Sequence, residues 1–189
     1  MCFNRRGAED AEVRRVFCYY PVSMSTPNSF DQFLEDFRAT IVDATTRLRD
    51  ITPEQSRNKV SDENWSRIEI LGHLVDSAAN NHQRFVRAQF TDDLVFPGYE
   101  QEGWVNAQKY QDESWPDLVQ LWSSYNLHFL HVFSAIPEPT RTKPREKHNL
   151  DEIALVAVPK NQPATLEYLM RDYVDHLRHH LNQIFSQTS

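Results

Sequence analysis

The chain has 189 residues and a formal charge of −7, with 27 acidic side chains against 20 basic ones, a balance that repels a phosphate backbone and excludes nucleic acid as an expected partner. Four glycines and no phosphate-loop pattern argue against nucleotide binding. Nothing approaches the run of roughly 20 apolar residues that a membrane helix needs. Residues 1–23 read as a weakly ordered N-terminal extension and residues 24–189 as one domain, with Met24 as an alternative start. Cys2 and Cys18 both precede the first periodic segment, so they cannot staple a core, and they fit a reducing, cytoplasmic setting. The apolar stretch VFCYYPV (16–22) is too short for a secretory signal and lacks a small-residue cleavage site.

The first helical pattern runs from about Ser29 to Leu48, with Phe30, Phe33, Leu34, Phe37, Ile41 and Leu48 on one face. A second opens at Ser66, where Glu69 completes a capping box, and its apolar stripe predicts a helix to about Phe90. Residues 91–113 form a connection long enough to cover something, with a short helix expected around Trp104 to Tyr110. Ser114 and Asp117 repeat the capping-box spacing before a third helix carrying Leu118, Leu121, Trp122, Tyr125, Phe129, Leu130 and Phe133. A second long connection, 136–164, holds RTKPREKH and then LDEIALVAV, whose conformation the pattern leaves open. The fourth helix follows Pro163, capped by Thr165, with Leu166, Leu169, Met170, Tyr173, Leu177, Leu181 and Ile184 on its apolar face. Four amphipathic helices make the fold all-α, a four-helix bundle. Its two long connections, between helices 2 and 3 and between helices 3 and 4, argue against simple up-down-up-down order.

The stretch DYVDHLRHHLNQIF (172–185) carries the strongest chemical signal. His176 and His180 leave one face of the helix a turn apart, so both imidazoles can reach one cation, whereas His179 is turned about 100° away. A catalytic site of the zinc kind takes three protein ligands and keeps a position open. His73 in the second helix is the best third donor, and its line continues along Asp76 or Ser77, Asn80 and Arg84. The alternative is a set of interior histidines hydrogen-bonded to Asp, Asn or backbone carbonyls. His128 and His131, three residues apart in the third helix, compete as ligands, and His128 is also a candidate pocket base. His82 is offset by half a turn from His73, and His148, among basic residues, reads as solvated. Asp76, Asn80 and Arg84 are candidates for orienting a ligand histidine or a substrate, with an ordinary interhelical hydrogen bond as the alternative for each. Asp76 and Asp175 are candidates to support a ligand's second nitrogen. Tyr99 and Trp104 are candidates to close the pocket, or simply to anchor the connection.

The segments LGHLVDSAANNHQRFVRAQ (71–89), YEQEGWVNAQ (99–108) and YVDHLRHHLNQI (173–184) resemble the DinB/YfiT-like superfamily of metal-dependent enzymes, and its YfiT-like branch in particular. The resemblance spans roughly residues 29–186. It implies an up-down-down-up bundle and a divalent cation held by His73, His176 and His180, with no ligand role for His179. It also implies homodimers and a spread of activities. These are transfer of a low-molecular-weight thiol such as bacillithiol or mycothiol to an electrophile, maleylpyruvate isomerisation, and hydrolysis.

A three-histidine centre suits zinc, nickel or iron alike. It can acidify a bound water for hydrolysis or hold a thiol as its thiolate. No glutamate adjoins a ligand here, unlike the H-E-x-x-H pattern in which that residue handles the water proton. The expected function is therefore a metal-dependent enzyme transferring a low-molecular-weight thiol to a small electrophile. The alternatives are a metal-dependent hydrolase and a non-enzymatic helical binding or stress-response module.

Overall fold

The computed structural model describes residues 29–61 and 63–187; the expected extension at 1–23, Met24 and both cysteines lie outside them. Four long helices dominate: α1 (Phe30–Arg49), α3 (Arg67–Arg87), α5 (Trp115–Ala135) and α8 (Leu166–Ser186). Short α2 (Pro53–Arg57), α4 (Gln101–Gln108), α6 (Glu138–Thr142) and α7 (Leu150–Ile153) lie in the connections.

Local chemistry accounts for most helix starts. Ser29 and Thr165 accept from backbone amides three residues on. The Ser66 hydroxyl caps the Glu69 amide while the Glu69 carboxylate takes the Ser66 N–H at 2.8 Å. The box expected at Ser114 and Asp117 does not form. Ser114 makes no side-chain cap, and its amide is already taken by the Glu113 carboxylate at 3.1 Å, which removes the donor that Asp117 would have bound. α3 ends at Arg87 rather than Phe90, and Phe90 is exposed. α2 starts on a Thr52–Gln55 capping box with proline in its first turn, a signal the periodicity alone passes over.

Contacts between the helices fix their directions. Phe33 stacks on Phe133, Thr45 donates to Ser123, and the Trp115 indole donates to Leu48 O, so α1 and α5 run in opposite senses. Arg67 reaches Ile184 O while Phe85 meets Tyr173, which makes α3 and α8 antiparallel as well. Phe37 against Tyr173 and Arg47 over Phe185 set α1 and α8 in the same direction. His82 with Tyr125 and Phe85 with Phe133 do so for α3 and α5. Thus α1 and α8 point one way, α3 and α5 the other. Phe33, Phe37, Phe85, Phe129, Phe133 and Tyr173 fill the centre in stacked and edge-to-face pairs.

The two long connections hold each other. Leu94 exchanges backbone hydrogen bonds with Lys147 and Asn149, and the Asn149 side chain both accepts from Phe96 N–H and donates to Phe96 O. That clamp fixes the path of residues 97–104. The covering helix is Gln101–Gln108, followed by a 3-10 turn at Tyr110–Asp112, earlier than the expected Trp104 to Tyr110 because Lys109 turns left-handed at φ 51°. LDEIALVAV opens as the single turn of α7 and then extends, with the Leu155 and Val156 amides both bound by Asp172 of α8. His148, expected in solvent, is buried: its Nδ1 accepts from Leu150 N–H at 3.2 Å and its Nε2 meets Gln162 O at 2.7 Å. Leu121 departs from its stripe and is exposed.

Candidate metal centre

α3 delivers His73 in its second turn, and α8 delivers His176 and His180 one turn apart on the face turned to α3. The three offer ligand nitrogens within 4.8 Å of one another. Their rings lie 5.3, 4.7 and 4.5 Å apart by centroid, and Nε2 of His73 is 3.3 Å from Nε2 of His176. Two nitrogens bound tetrahedrally at ~2.0–2.1 Å to one cation stand roughly 3.3–3.4 Å apart, so this pair already has the spacing of co-ligands.

His73 is buried, while His176 and His180 are half-buried and keep an edge toward solvent. Burial is the main cause that pushes the His73 imidazolium down to about 3 and His180 down to about 4, and it holds His176 well below the usual histidine range. Mutual repulsion among the three adds to the effect at His73 and His176. All three therefore present neutral rings near pH 7, the form that binds metals. The Nδ1 of His180 contacts Gln183 Oε1 at 2.8 Å, which leaves its Nε2 lone pair for the centre. The Nδ1 atoms of His73 and His176 are buried without a hydrogen-bond partner among the described residues. A donor set of three neutral imidazoles at this spacing fits zinc, nickel or iron.

Asp76, one turn beyond His73, is buried. Its Oδ1 accepts from Gln108 Nε2 at 2.6 Å and from Tyr110 OH at 2.8 Å, while Oδ2 has no partner among the described residues. Burial raises its carboxyl pKa, and the two donors oppose that rise. Neither Asp76 nor Asp175 is hydrogen-bonded to a ligand histidine; Asp175 is exposed and sits 3.7 Å from Arg178. Gly72 is required for this arrangement, since a Cβ there would stand 2.2 Å from the Tyr110 ring.

Aromatic rings wall one side. Trp65 lies 5.3 Å and Tyr99 6.5 Å from the His73 ring, with Trp104 4.9 Å from Tyr99. Burial, then the Asp76 charge, lifts the Tyr99 phenol to about 12, so it stays a donor. Arg84 is buried, giving Nη1 to Asn81 Oδ1 and Nη2 to Pro97 O. Asn80 is half-buried and donates to Asp76 O. His128 is not brought here: it is exposed beside His82 at 5.4 Å and His131 at 6.1 Å, across α3 and α5. His179 is exposed, its Nε2 3.1 Å from Gln183 Nε2.

Gly72, Trp65, Gln108 and Tyr110 escaped the sequence reading. Trp65 had a signal, as the apolar residue just before a helix cap. Gln108 and Tyr110 had none, because they sit in a connection placed by nonlocal contacts.

An all-helical bundle with three neutral imidazoles converging from two antiparallel helices defines a protein able to hold one divalent cation. The chain belongs to the DinB superfamily, whose model matches residues 36–184. Among solved structures it is similar to YfiT from Bacillus subtilis, described as a probable metal-dependent hydrolase with an unusual four-helix bundle topology. The two share a TM-score of 0.68 at 15% identity over 88% of this chain and 90% of that one, a likeness that speaks for the fold. No curated protein matches the chain.

Proposed function

We propose that the protein is a divalent-metal-dependent enzyme that joins a low-molecular-weight thiol to a small electrophile, with His73, His176 and His180 as the metal ligands. The observation that carries this reading is the convergence of three neutral imidazoles with no carboxylate in the group among the described residues. A cation bound there supplies Lewis acidity, lowering the pKa of a thiol or water that reaches it.

The chain's own groups favour the thiol. Hydrolysis asks for a base to take a proton from water, and the buried carboxylate of Asp76 is held through Oδ1 by Gln108 and Tyr110, which leaves Oδ2 as its one oxygen able to serve. Tyr99 stays protonated and serves as a donor. A thiol, with a pKa of about 8.5, sheds its proton far more readily than water. Trp65 and Tyr99 flank the His73 ring, while His176 and His180 are only half-buried, which favours a metal that substrate can reach over a purely structural one. Asn80 and Arg84 lie along the same line of α3, and in this reading they contact substrate. The second reading, metal-dependent hydrolysis, is favoured by the description of YfiT. A cytoplasmic homodimer acting on small molecules completes the proposal, and exposed Leu121 and Leu127 on α5 are apolar surface available to a second copy.

Turnover of a chromogenic aryl halide with and without a low-molecular-weight thiol separates the readings. Strict thiol dependence supports transfer. Thiol-independent release from a nitrophenyl ester, abolished in His73→Ala, overturns it in favour of hydrolysis. Elemental analysis identifies the metal, and light scattering reads the oligomeric state.

A further inference from the structure

His73, Asn80 and Arg84 are seven and eleven residues apart, and at about 100° per residue they fall within roughly 20° of one line along α3. The long Arg84 side chain leans toward the N-terminus of its helix, and so back toward the triad. It is 6% exposed, and its guanidinium meets only neutral acceptors, Asn81 Oδ1 at 3.3 Å and Pro97 O at 3.1 Å. Among the described residues no carboxylate forms an ion pair with it. A buried guanidinium without a counter-ion is costly unless something anionic completes it.

The other two buried arginines differ. Arg67 donates to Gln55 O and, at the negative end of α8, to Ile184 O and Gln187 O. Among the described residues Arg145 makes no ion pair and leaves Nε and Nη1 without a partner, but it lies in the field of Asp92 and Asp93, away from the triad. The Arg84 charge is instead felt by His176 and by Tyr99, the residue that lies over His73. Three neutral ligands leave a dication's charge uncompensated, so this end of an otherwise acidic protein is strongly positive once loaded.

We propose that Arg84 is the receptor for an oxyanion on the substrate, so that the substrate class is small molecules carrying a carboxylate or phosphonate-type group set apart from the atom that meets the metal. This rests on the triad being the metal centre. The planar fork of arginine suits such a group, giving two parallel N–H donors.

The test compares succinate with propionate on the metal-loaded full chain by calorimetry. Both can place one carboxylate at the metal, and only succinate has a second to offer, so the change in their affinity ratio when Arg84 is substituted isolates the Arg84 contribution. Wild type is expected to prefer succinate by about 10-fold or more. Arg84→Gln should bring the ratio close to one, and Arg84→Lys, which keeps the charge and loses the fork, should fall between. Replacing succinate by 3-phosphonopropionate tells which oxyanion is preferred. A wild-type ratio near one, or a ratio unchanged in both variants, overturns the proposal. The metal-centre reading fails separately, by equal metal content in wild type and His73→Ala, a measurement that does not depend on the anion ratio.

Discussion

Gly72→Ala is the sharpest test of how the bundle builds its centre, because it adds one methyl group beside His73. The new Cβ would stand 2.2, 2.3 and 2.5 Å from three atoms of the Tyr110 ring. Carbon contacts are comfortable at about 3.5–4.0 Å, so the ring must retreat by roughly 1–1.5 Å. Tyr110 is 5% exposed and its hydroxyl donates to the Asp76 carboxylate at 2.8 Å, so retreat costs both packing and a charge-assisted hydrogen bond. Overpacking costs about 1–3 kcal/mol and loss of that bond about 1.5–3 kcal/mol, while alanine returns about 1 kcal/mol of helix propensity. The net loss is about 1.5–5 kcal/mol, which at about 2–4 °C per kcal/mol in a chain of this size lowers the Tm by about 3–20 °C. Circular dichroism melts of the metal-loaded and chelated protein read it. Gly98→Ala is the control: nothing lies within 4 Å of its Cβ, so its Tm should hardly move. The cycle with Tyr110→Ala adds a second check, since removing the ring removes the collision and the double variant should be more stable than the sum predicts. A Gly72→Ala melt indistinguishable from wild type would refute the rigid close packing.

His73→Ala and His180→Ala should each reduce bound metal sharply by elemental analysis, whereas His179→Ala, an exposed neighbour, should keep wild-type stoichiometry; equal content in all three would point to another ligand set. Tyr173→Phe removes the 2.7 Å donation to Asn126 Oδ1 and strands that oxygen in a fully buried side chain, costing about 1–3 kcal/mol in urea unfolding. Asp172→Asn leaves one of the Leu155 and Val156 amides facing an amide group instead of a carboxylate oxygen, so amide exchange there should speed up. Burial raises the folded pKa of Asp172 above its unfolded value, so its charge works against folding at pH above the folded pKa, and this cost fades as pH falls through it. The wild-type Tm should therefore gain on that of the Asp172→Asn protein as pH falls through the mildly acidic range; a constant gap would contradict the sign.

The four long helices were legible because each buries a stripe of period 3.6 and most announce their starts with a cap. Ser114 misled because a capping box is a competition for one amide, and Glu113, immediately before it, wins that amide. His176 and His180 were legible for a local reason as well, since one helical turn decides that they share a face. Their meeting with His73 is nonlocal and depends on α3 and α8 lying antiparallel, which spacing within either helix does not decide. His128 shows the same limit from the other side: its pattern with His131 is as good a ligand signal, yet α5 turns it to solvent beside His82.

What the periodicity could not supply was the wall of the site, and the reason lies in how that wall is held. Tyr99 lies over His73, with Trp104 against Tyr99, because Asn149, some fifty residues later, grips Phe96 through both its side-chain oxygen and its nitrogen. Gln108 and Tyr110 then converge on Asp76, and Tyr110 fits only because residue 72 has no side chain. The three histidines thus stand on long helices, whereas the aromatic wall beside them depends on a connection fixed by a handful of hydrogen bonds. If the proposed function holds, changes along residues 97–110 alter which small molecule is accepted while His73, His176, His180 and the helices that carry them stay in place.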